Sequence, residues 1–305
     1  MSEKEIMFLI AESSIHAGSG EDVGFVDQPI QRSKFSNYPI IQSSEVKGSL
    51  RGYLESNGKK QEVETIFGPE DKGDFASAVS FSEARLLFLP VKSLYGVYAY
   101  ITCPYLLNRF AKEVRLAISF NSAVFNDDAV VLEGSFVAKN DVVILHEFPF
   151  KVQEGYEIPE LGVNGPEVNF FEWLEGKLYP DDENYKYWKE NFLKRIVILS
   201  DENMKVFSQI GVEILTRNKI GESGTVDTAT GNVWTEENLP EETIMYFSFK
   251  LSKLYKKPEP SDGVRTEEGA LLFLKKELID KVIQLGGNKT IGRGFVLIKL
   301  LDLGG

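Results

Sequence analysis

Apolar positions recur along the chain in two patterns, short apolar runs and longer stretches with helical spacing. Apolar runs bounded by polar residues or glycine are typical of buried strands. They predict strands over residues 5–13, 78–90, 95–102, 195–199, 212–220, 243–252 and 295–301. Apolar residues repeating near a period of 3.6 predict helices over 44–56, 104–119, 201–210 and 266–285, with a helical turn at 62–67.

The order of six of these elements predicts the fold class. They spell βαββαβ, which is the α+β, ferredoxin-like (RRM-like) plan with two helices on one face of an antiparallel sheet. The whole chain, 1–305, is therefore expected to form one elaborated domain with large insertions. Its core is predicted at about 1–103 and 195–305, its main insertion at about 104–194, and a polar β-hairpin at about 221–239.

Composition excludes several classes of protein. The chain is 43% apolar, which suffices for a sizeable core, and no run reaches the roughly 18–20 apolar residues of a membrane span. A single cysteine, Cys103, excludes an internal disulfide and a multi-cysteine zinc site. The N-terminus lacks the basic region and apolar core of a signal peptide. We therefore expect a cytoplasmic protein with no membrane partner.

The charge of the chain argues against a general nucleic-acid binder, because such proteins usually carry a basic surplus. The formal net charge is −12. The charge is nevertheless uneven. Residues 28–60 hold six Lys or Arg against two Glu, giving +4, whereas residues 154–190 hold ten acids against three lysines, giving −7. A local basic face of this kind can still hold RNA.

One stretch near the N-terminus combines three features that suit a phosphate backbone. Gly18 and Gly20 lie in a loop where backbone N–H groups can approach a ligand closely. Lys47 and Arg51 lie four residues apart on the next predicted helix, so they share a face. Asp27 lies between the loop and the helix.

A second glycine-rich motif, GGNKTIGRG, lies between the last predicted helix and the last strand. Rossmann and P-loop motifs require a strand before the glycines and a helix after them, so both are excluded. Two interpretations remain open. Gly287, Lys289 and Arg293 form either a rigid loop that cradles phosphates or a tight connection without a ligand.

Two side chains in the first stretch are candidates for chemistry. Asp27 could hold Mg²⁺ or accept a proton near a scissile phosphate, although a loop aspartate more commonly bonds its own turn. His16 could be a base or a phosphate contact, and a structural histidine is the favoured alternative. The residues alone leave both questions open.

Several motifs together resemble the RAMP superfamily of CRISPR effector proteins. The resemblance rests on SSEVKGSLRG in the basic helix, ENLPEET after the late hairpin, and GGNKTIGRGF near the C-terminus. The segment VDQPIQR, which contains Asp27, and the long hairpin look most like the backbone subunit of type III-B (Cmr) complexes. The similarity covers about 5–56 and 212–301, and the region from about 104 to 195 carries no motif that matches.

The resemblance implies a function and a set of site residues. It implies that copies of this chain form a helical filament along a crRNA, together with other Cmr complex subunits. This assembly is implied to cleave target RNA at regular intervals. It implies Asp27 as the catalytic residue and the ligand of a divalent ion, Mg²⁺, with His16 beside it. The implied RNA-binding residues are Gly18, Gly20, Lys47, Arg51, Arg217, Gly287, Lys289 and Arg293. The hairpin is implied to be a thumb with Val226 or Trp234 as a wedge, and Glu236 and Glu237 are expected to be solvated.

Other functions fit parts of the same sequence. Within the superfamily, a type III-A backbone subunit and a cleavage-inactive crRNA-binding scaffold have the same architecture. A small-molecule-binding α+β protein would fit the acidic composition. A guide-maturing endonuclease is disfavoured, because His16 has no evident Tyr or Lys partner. RNA that copurifies with the protein would separate the RNA-binding functions from the small-molecule one.

Overall fold

The fold is known from a computed structural model of the chain. It describes residues 4–20, 24–70, 75–122, 125, 128–162, 167–219, 233–256 and 263–302. Within these ranges, no helix is long and apolar enough to cross a membrane.

Strands and helices are numbered here along the chain. The strands are β1 (Glu5–Ala11), β2 (Ile40–Ile41), β3 (Val79–Phe81), β4 (Ala84–Lys92), β5 (Tyr98–Thr102), β6 (Val130–Val131), β7 (Ala138–Lys139), β8 (Val142–Leu145), β9 (Phe148–Lys151), β10 (Glu160–Leu161), β11 (Val168–Asn169), β12 (Ile196–Ile198), β13 (Glu213–Asn218), β14 (Val233–Asn238), β15 (Ile244–Leu251), β16 (Lys281–Gln284) and β17 (Phe295–Leu300). The helices are α1 (Ser43–Ser56), α2 (Lys60–Phe67), α3 (Pro104–Glu113), α4 (Phe170–Leu178), α5 (Lys186–Asn191), α6 (Asp201–Ile210) and α7 (Glu267–Leu278).

A mixed sheet of ten described strands runs through the molecule. Its order is β16-β17-β1-β15-β4-β5-β12-β6, with β2 added beside β4 and β3 beside β15. The four neighbours β17, β1, β15 and β4 are antiparallel, whereas β5 and β12 are parallel. The predicted combination of helices and sheet is therefore confirmed at the level of a mixed α/β fold with a large mixed sheet.

Strand β1 lies inside the sheet and is buried on both faces, which explains its continuous apolar sequence. Successive side chains of a strand point to opposite faces. Met7 and Leu9 accordingly pack into one core, which also holds the buried faces of α1 and α7. Phe8 and Ile10 pack into a second core with α4 and most of the buried face of α3. The sheet thus separates two apolar layers.

Two predicted helices are shorter than their sequence patterns suggested. Helix α7 ends at Leu278, not near residue 285, because Asp280 takes a positive φ of 57° and residues 281–284 form β16. The β-branched side chains in that strand suit pairing with β17. Helix α3 ends at Glu113 for a similar reason, since Arg115 has a φ of 60°.

The late polar hairpin also differs from its prediction. Residues 233–238 form β14, which pairs antiparallel with β13 and places Thr235 opposite Thr216. The predicted hairpin at about 221–239 is therefore longer at its start, because its second strand pairs with β13, which was predicted as a separate strand. Residues 220–232, including the predicted wedge Val226, lie outside the described residues.

The region predicted as an insertion contributes to both the sheet and its second core. Strand β6 pairs with β12 at the end of the main sheet. Helix α4 places Phe170 and Phe171 in the second core. The remaining strands form two small sheets, β7-β8-β9 and β10-β11. Phe170 and Phe171 of this region therefore serve packing.

Candidate nucleic-acid interface

Strand β14 is the scaffold on which the predicted site residues meet. Besides pairing with β13, it bonds two N-terminal segments. Gln28 donates its N–H to the carbonyl of Thr235 at 3.0 Å and accepts from the N–H of Glu237 at 3.0 Å. Ile15 donates its N–H to the carbonyl of Leu239 at 2.8 Å. Both sides of the first glycine loop are thereby tied to one late strand.

Asp27 is held by a single residue of β14. Its Oδ2 accepts from the N–H of Thr235 at 2.7 Å and from the Thr235 hydroxyl at 2.8 Å. Its own N–H donates to Thr235 Oγ1 at 3.0 Å. These hydrogen bonds hold the pKa of Asp27 below its ordinary value, the backbone N–H of Thr235 having the largest effect. Because the residue is exposed, the result is a fixed, ionised carboxylate at the surface.

His16 lies buried between the two glycine loops. Its Nδ1 is 2.8 Å from the carbonyl of Glu237, and its own carbonyl accepts from the N–H of Gly287 at 2.8 Å. A Cβ at Gly18 would come within 2.8 Å of its Nε2. A Cβ at Gly286, where φ is +83°, would come within 2.6 Å of its carbonyl oxygen. Only glycine fits these approaches, and the geometry supports a structural role for His16.

The first glycine loop packs back onto the segment that carries Asp27. Gly18 pairs with Ile30, and its carbonyl accepts from Gln31 Nε2 at 2.9 Å. Gly20 is exposed and has a φ of +103°, which few residues other than glycine adopt. Of the two glycines of this first loop predicted to bind RNA, Gly20 is thus the more accessible.

Glu236 is the centre of a buried cluster on β14. It is 1% exposed, and four side chains donate to it. The donors are Arg293 Nη1 at 2.7 Å, Arg217 Nη1 at 3.1 Å, Asn288 Nδ2 at 3.0 Å and Trp234 Nε1 at 2.7 Å. Burial raises the pKa of Glu236, but the hydrogen bonds from Trp234 and Arg217 and the nearby guanidinium charges outweigh it. The pKa is therefore lowered.

This cluster corrects the role expected for Arg293. The side chain is buried and also donates to Asn238 Oδ1 at 2.7 Å, so its guanidinium faces the interior instead of a phosphate. The N–H groups of Gly287 and Gly294 are likewise given to the carbonyls of His16 and Ser14. Of the two interpretations of the C-terminal loop, a tight connection describes these groups better than a phosphate cradle.

Glu237 forms a second buried pair beside the first. Arg32 Nη2 bonds its Oε1, and the N–H of Ile30 donates to its Oε2 at 3.0 Å. Arg32 also donates to the carbonyl of Ser208 at 2.9 Å. The expectation that Glu236 and Glu237 are solvated was therefore wrong, because both carboxylates neutralise arginines within the fold.

The predicted basic face is divided between internal and surface contacts. Arg51 bonds Glu55 at 2.9 Å and the carbonyl of Gly68 at 2.9 Å, so its guanidinium is committed to the α1–α2 corner. Lys47 is half-buried, and burial followed by the charge of Arg51 lowers its pKa. Lys289 is exposed in a 3₁₀ turn. Within the described ranges, neither lysine forms an ion pair, and both remain available to an anion.

Of the two residues implied as a wedge, Trp234 lies within the described residues. Trp234 is half-buried, with the Arg217 guanidinium 5.5 Å from its ring centroid and its Nε1 bonded to Glu236. Its ring and the guanidinium of Arg217, a residue that was also expected to bind RNA, therefore belong to the Glu236 cluster. Val226 lies outside the described residues.

Sequence reasoning missed the residues that organise the site. Thr235 and its two acidic neighbours sit in a polar run that resembles a solvated face, and consecutive acids are rarely buried without partners. Their partners lie far away in the sequence, so no local pattern identifies them. Phe25 was also missed, although an aromatic residue in a glycine-rich polar loop is a visible signal.

Protein groups at this surface offer little to a metal ion. Among the described residues, no cluster of three or more His, Cys, Asp or Glu side chains is arranged to hold one. The N–H and the hydroxyl of Thr235 both donate to Oδ2 of Asp27. The other oxygen could serve as one ligand of Mg²⁺, which usually keeps several waters and takes one or two carboxylates plus phosphates.

Comparisons with known proteins agree on one family. The RAMP superfamily matches residues 8–297. The chain is 33% identical over 302 residues to the CRISPR system Cmr endoribonuclease Cmr4 of Pyrococcus furiosus, covering 94% of this chain and 92% of that protein. It superposes on a crystal structure of oligomeric Cmr4 from the same organism with a TM-score of 0.65, 25% identity and 98% coverage of each chain. A subunit of the type III-B Cmr-beta complex bound to cognate target RNA shares the fold, with a TM-score of 0.68, 20% identity and coverage of 98% and 97%.

Proposed function

The chain belongs to the RAMP superfamily, and from that premise we propose that it is the crRNA-binding backbone subunit of a type III-B Cmr complex. In this role it binds a guide RNA and cleaves the target RNA that pairs with the guide. The relative from Pyrococcus furiosus is a Cmr endoribonuclease and matches almost the whole chain. Its activity is the one that the site geometry supports best.

The observation that carries the proposal is the fixed carboxylate of Asp27. An isolated negative charge repels RNA phosphates, so it weakens binding unless chemistry uses it. Two hydrogen bonds from one residue hold this carboxylate at an exposed position, three residues after Gly24. A carboxylate at such a position can act on a reacting group of the RNA, whereas it contributes little to the stability of the fold.

Cleavage of RNA at this position requires mainly positioning and control of charge. A 2′-hydroxyl placed in line with the neighbouring phosphate loses its proton as its oxygen bonds to phosphorus. The bond from phosphorus to the 5′-oxygen of the next nucleotide then breaks, and that oxygen takes a proton from water. The free oxygen of Asp27 can accept the proton of the 2′-hydroxyl or help to hold a divalent ion. A bound Mg²⁺ would supply positive charge at the phosphate. Asp27 would be its protein ligand, and RNA phosphates and water would complete the shell.

The filament follows from the same proposal. Copies of the chain along a crRNA would repeat Asp27 at a constant interval, which gives regularly spaced cleavage of the target. Oligomers are known for the structurally similar Cmr4, and other Cmr complex subunits would complete the assembly. We place this assembly in the cytoplasm, with no membrane partner.

We also infer that the centre of the fold is a ferredoxin-like core. Strands β1, β4, β15 and β17 have the strand order β17-β1-β15-β4 and are mutually antiparallel neighbours. Helices α1 and α7 bury their apolar faces in the same core layer. This order and arrangement support the βαββαβ plan, with the other strands added at the sheet's ends and edges.

The test compares wild-type and Asp27→Asn proteins in complexes assembled with one crRNA. The substitution keeps the size of the side chain and removes its charge. A labelled complementary RNA should be cut at regular intervals by the wild-type complex. The variant complex should assemble, bind the RNA at least as tightly as the wild type, and lose cleavage at every interval. Equal cleavage by both complexes would contradict the proposal.

Removal of divalent ions with EDTA tests the metal separately. The wild-type complex should lose cleavage in EDTA and regain it on addition of Mg²⁺. Full activity in EDTA would exclude the metal and leave Asp27 as a proton acceptor. A target RNA without complementarity to the guide serves as the control and should remain intact in all samples.

A further inference from the structure

Phe25 is the most exposed large apolar side chain among the described residues. Its ring is fully accessible to solvent, two residues before Asp27. It follows Gly24 in a bent segment, where Gly24 and Asp27 are exposed as well. Burying a phenylalanine side chain is worth about 1.5–3 kcal/mol, so a ring left in water at this position lacks the stabilisation that a partner would provide.

The distance between Phe25 and Asp27 suits one nucleotide. Two residues of extended chain span at most about 7 Å. An RNA whose phosphate lies at the Asp27 carboxylate therefore has a base within reach of the Phe25 ring. The hydrogen bonds from Thr235 to Asp27 fix one end of this short segment. They therefore limit the positions that the Phe25 ring can take.

The surroundings of Phe25 favour a base over a protein partner. Protein docking surfaces are contiguous apolar patches of several hundred Å². Phe25 instead follows the exposed Gly24 and is separated from the exposed, charged Asp27 only by the partly buried Val26. A nucleobase offers an apolar face for the ring and polar edges for its surroundings, and stacking tolerates any sequence because every base has a π-face.

We propose that Phe25 stacks on a base of the bound target RNA next to the phosphate at Asp27 and so positions that phosphate for cleavage. This inference rests on the proposed function and adds a positioning residue to it. Stacking of one base restrains the sugar that carries the attacking 2′-hydroxyl. Trp234, which was expected to contact the RNA as a wedge, is packed in the Glu236 cluster. Phe25 takes the place of that aromatic contact in this proposal.

The experiment uses assembled complexes with three variants. Phe25→Ala removes the ring, Phe25→Trp restores an aromatic surface, and Phe35→Ala removes the other highly exposed phenylalanine, which lies outside the Asp27 segment. Single-turnover cleavage at saturating target RNA should fall about tenfold in Phe25→Ala, which is the scale of one lost stack. It should be restored in Phe25→Trp and unchanged in Phe35→Ala.

A spectroscopic readout reports stacking directly. The target RNA carries 2-aminopurine on either side of the cleaved bond, and Asp27→Asn complexes keep it intact. Fluorescence at one of the two positions should be quenched with Phe25 or Phe25→Trp and rise with Phe25→Ala. Equal fluorescence in all complexes would overturn the inference.

The outcomes separate this inference from the proposed function. Absence of cleavage by the wild-type complex would remove the proposed function itself. Cleavage by the wild type that Phe25→Ala leaves unchanged would remove only the role of Phe25. If Phe25→Ala prevented assembly, as measured by size-exclusion chromatography, the ring would be a contact between protein chains and the inference would also be wrong.

Discussion

Thr235 holds Asp27 with both its backbone and its side chain. Its N–H donates at 2.7 Å and its hydroxyl at 2.8 Å to the same carboxylate oxygen. The two residues are 208 positions apart in the sequence. The hydroxyl also accepts the N–H of Asp27 at 3.0 Å. The position and the ionisation of the carboxylate therefore depend on the backbone N–H and the hydroxyl of one residue.

Replacing Thr235 with valine should change the pH dependence of cleavage. Valine keeps the shape but removes the hydroxyl, so the pKa of Asp27 should move up toward its ordinary value. The acid limb of the pH–rate profile of target cleavage should then shift to higher pH. Thr235→Ser retains the hydroxyl and should keep the wild-type limb. Identical limbs for the valine and serine variants would show that the hydroxyl does not control Asp27.

The two surface lysines should account for part of the salt dependence of RNA binding. Each phosphate contact that is lost reduces the salt slope by about one. Lys47→Ala and Lys289→Ala should each do so, measured as guide RNA affinity between low and moderate salt. Arg51→Ala is the matched control, because its guanidinium is bonded to Glu55 and Gly68. An equal change in all three variants would mean that Arg51 also reaches the RNA.

Truncation of Glu236 should destabilise the protein strongly. Glu236→Ala leaves the buried guanidinium of Arg293 without its carboxylate partner, and breaking a buried pair in this way costs about 3–5 kcal/mol. The free energy of unfolding in urea measures this loss. The control is Asp181→Asn at the surface pair of the exposed Asp181 with the partly buried Lys189, which should change stability by less than about 1 kcal/mol. Similar losses in both variants would refute a special role for the buried cluster.

A different carboxylate, Glu242, makes stability fall as pH rises. It accepts from the Tyr100 hydroxyl at 2.6 Å, in a turn where its φ is 67°. Burial, followed by the charges of Glu241 and Glu12, raises its pKa to about 7, although the Tyr100 hydrogen bond opposes the shift. The folded protein thus binds a proton that the unfolded chain has already released between about pH 4.5 and 7. Its contribution to stability is present below that window and is lost across it.

Glu242→Gln should remove this dependence, because the amide keeps an acceptor for Tyr100 without a titratable group. The difference in unfolding free energy between wild type and variant should change by at most about 3 kcal/mol from pH 5 to pH 8, in favour of the variant at high pH. Parallel curves for the two proteins across this range would contradict the assignment. Comparing the two proteins cancels the titration of other groups.

Local sequence patterns were sufficient where an element is defined by its own residues. Helix α6 occupies 201–210 as predicted, since Ser200 caps it by accepting the N–H of Asn203 at 3.1 Å. Strand β1 followed from its apolar run. The predicted helix at the C-terminal end was too long. The segment that follows Asp280 is a strand because it pairs with β17, and its own sequence does not reveal that pairing.

The candidate site was predictable only in part. A loop aspartate and a family motif identified Asp27, but its anchor is more than 200 residues away. The Glu236 cluster joins residues from β13, β14 and the C-terminal loop. Charged residues read one at a time suggested phosphate ligands and a solvated face. Their mutual neutralisation is a property of the tertiary structure, which sequence spacing does not contain.

The pairing of β13 with β14 makes the Asp27 anchor a matter of strand register. Side chains of a strand alternate between its two faces, so a slip of β14 by one residue would present Trp234 or Glu236 where Thr235 now stands. Neither replaces the hydroxyl at that point. The Asp27 carboxylate therefore has its hydroxyl donor in this register, and a pairing shifted by one residue would leave it without that donor.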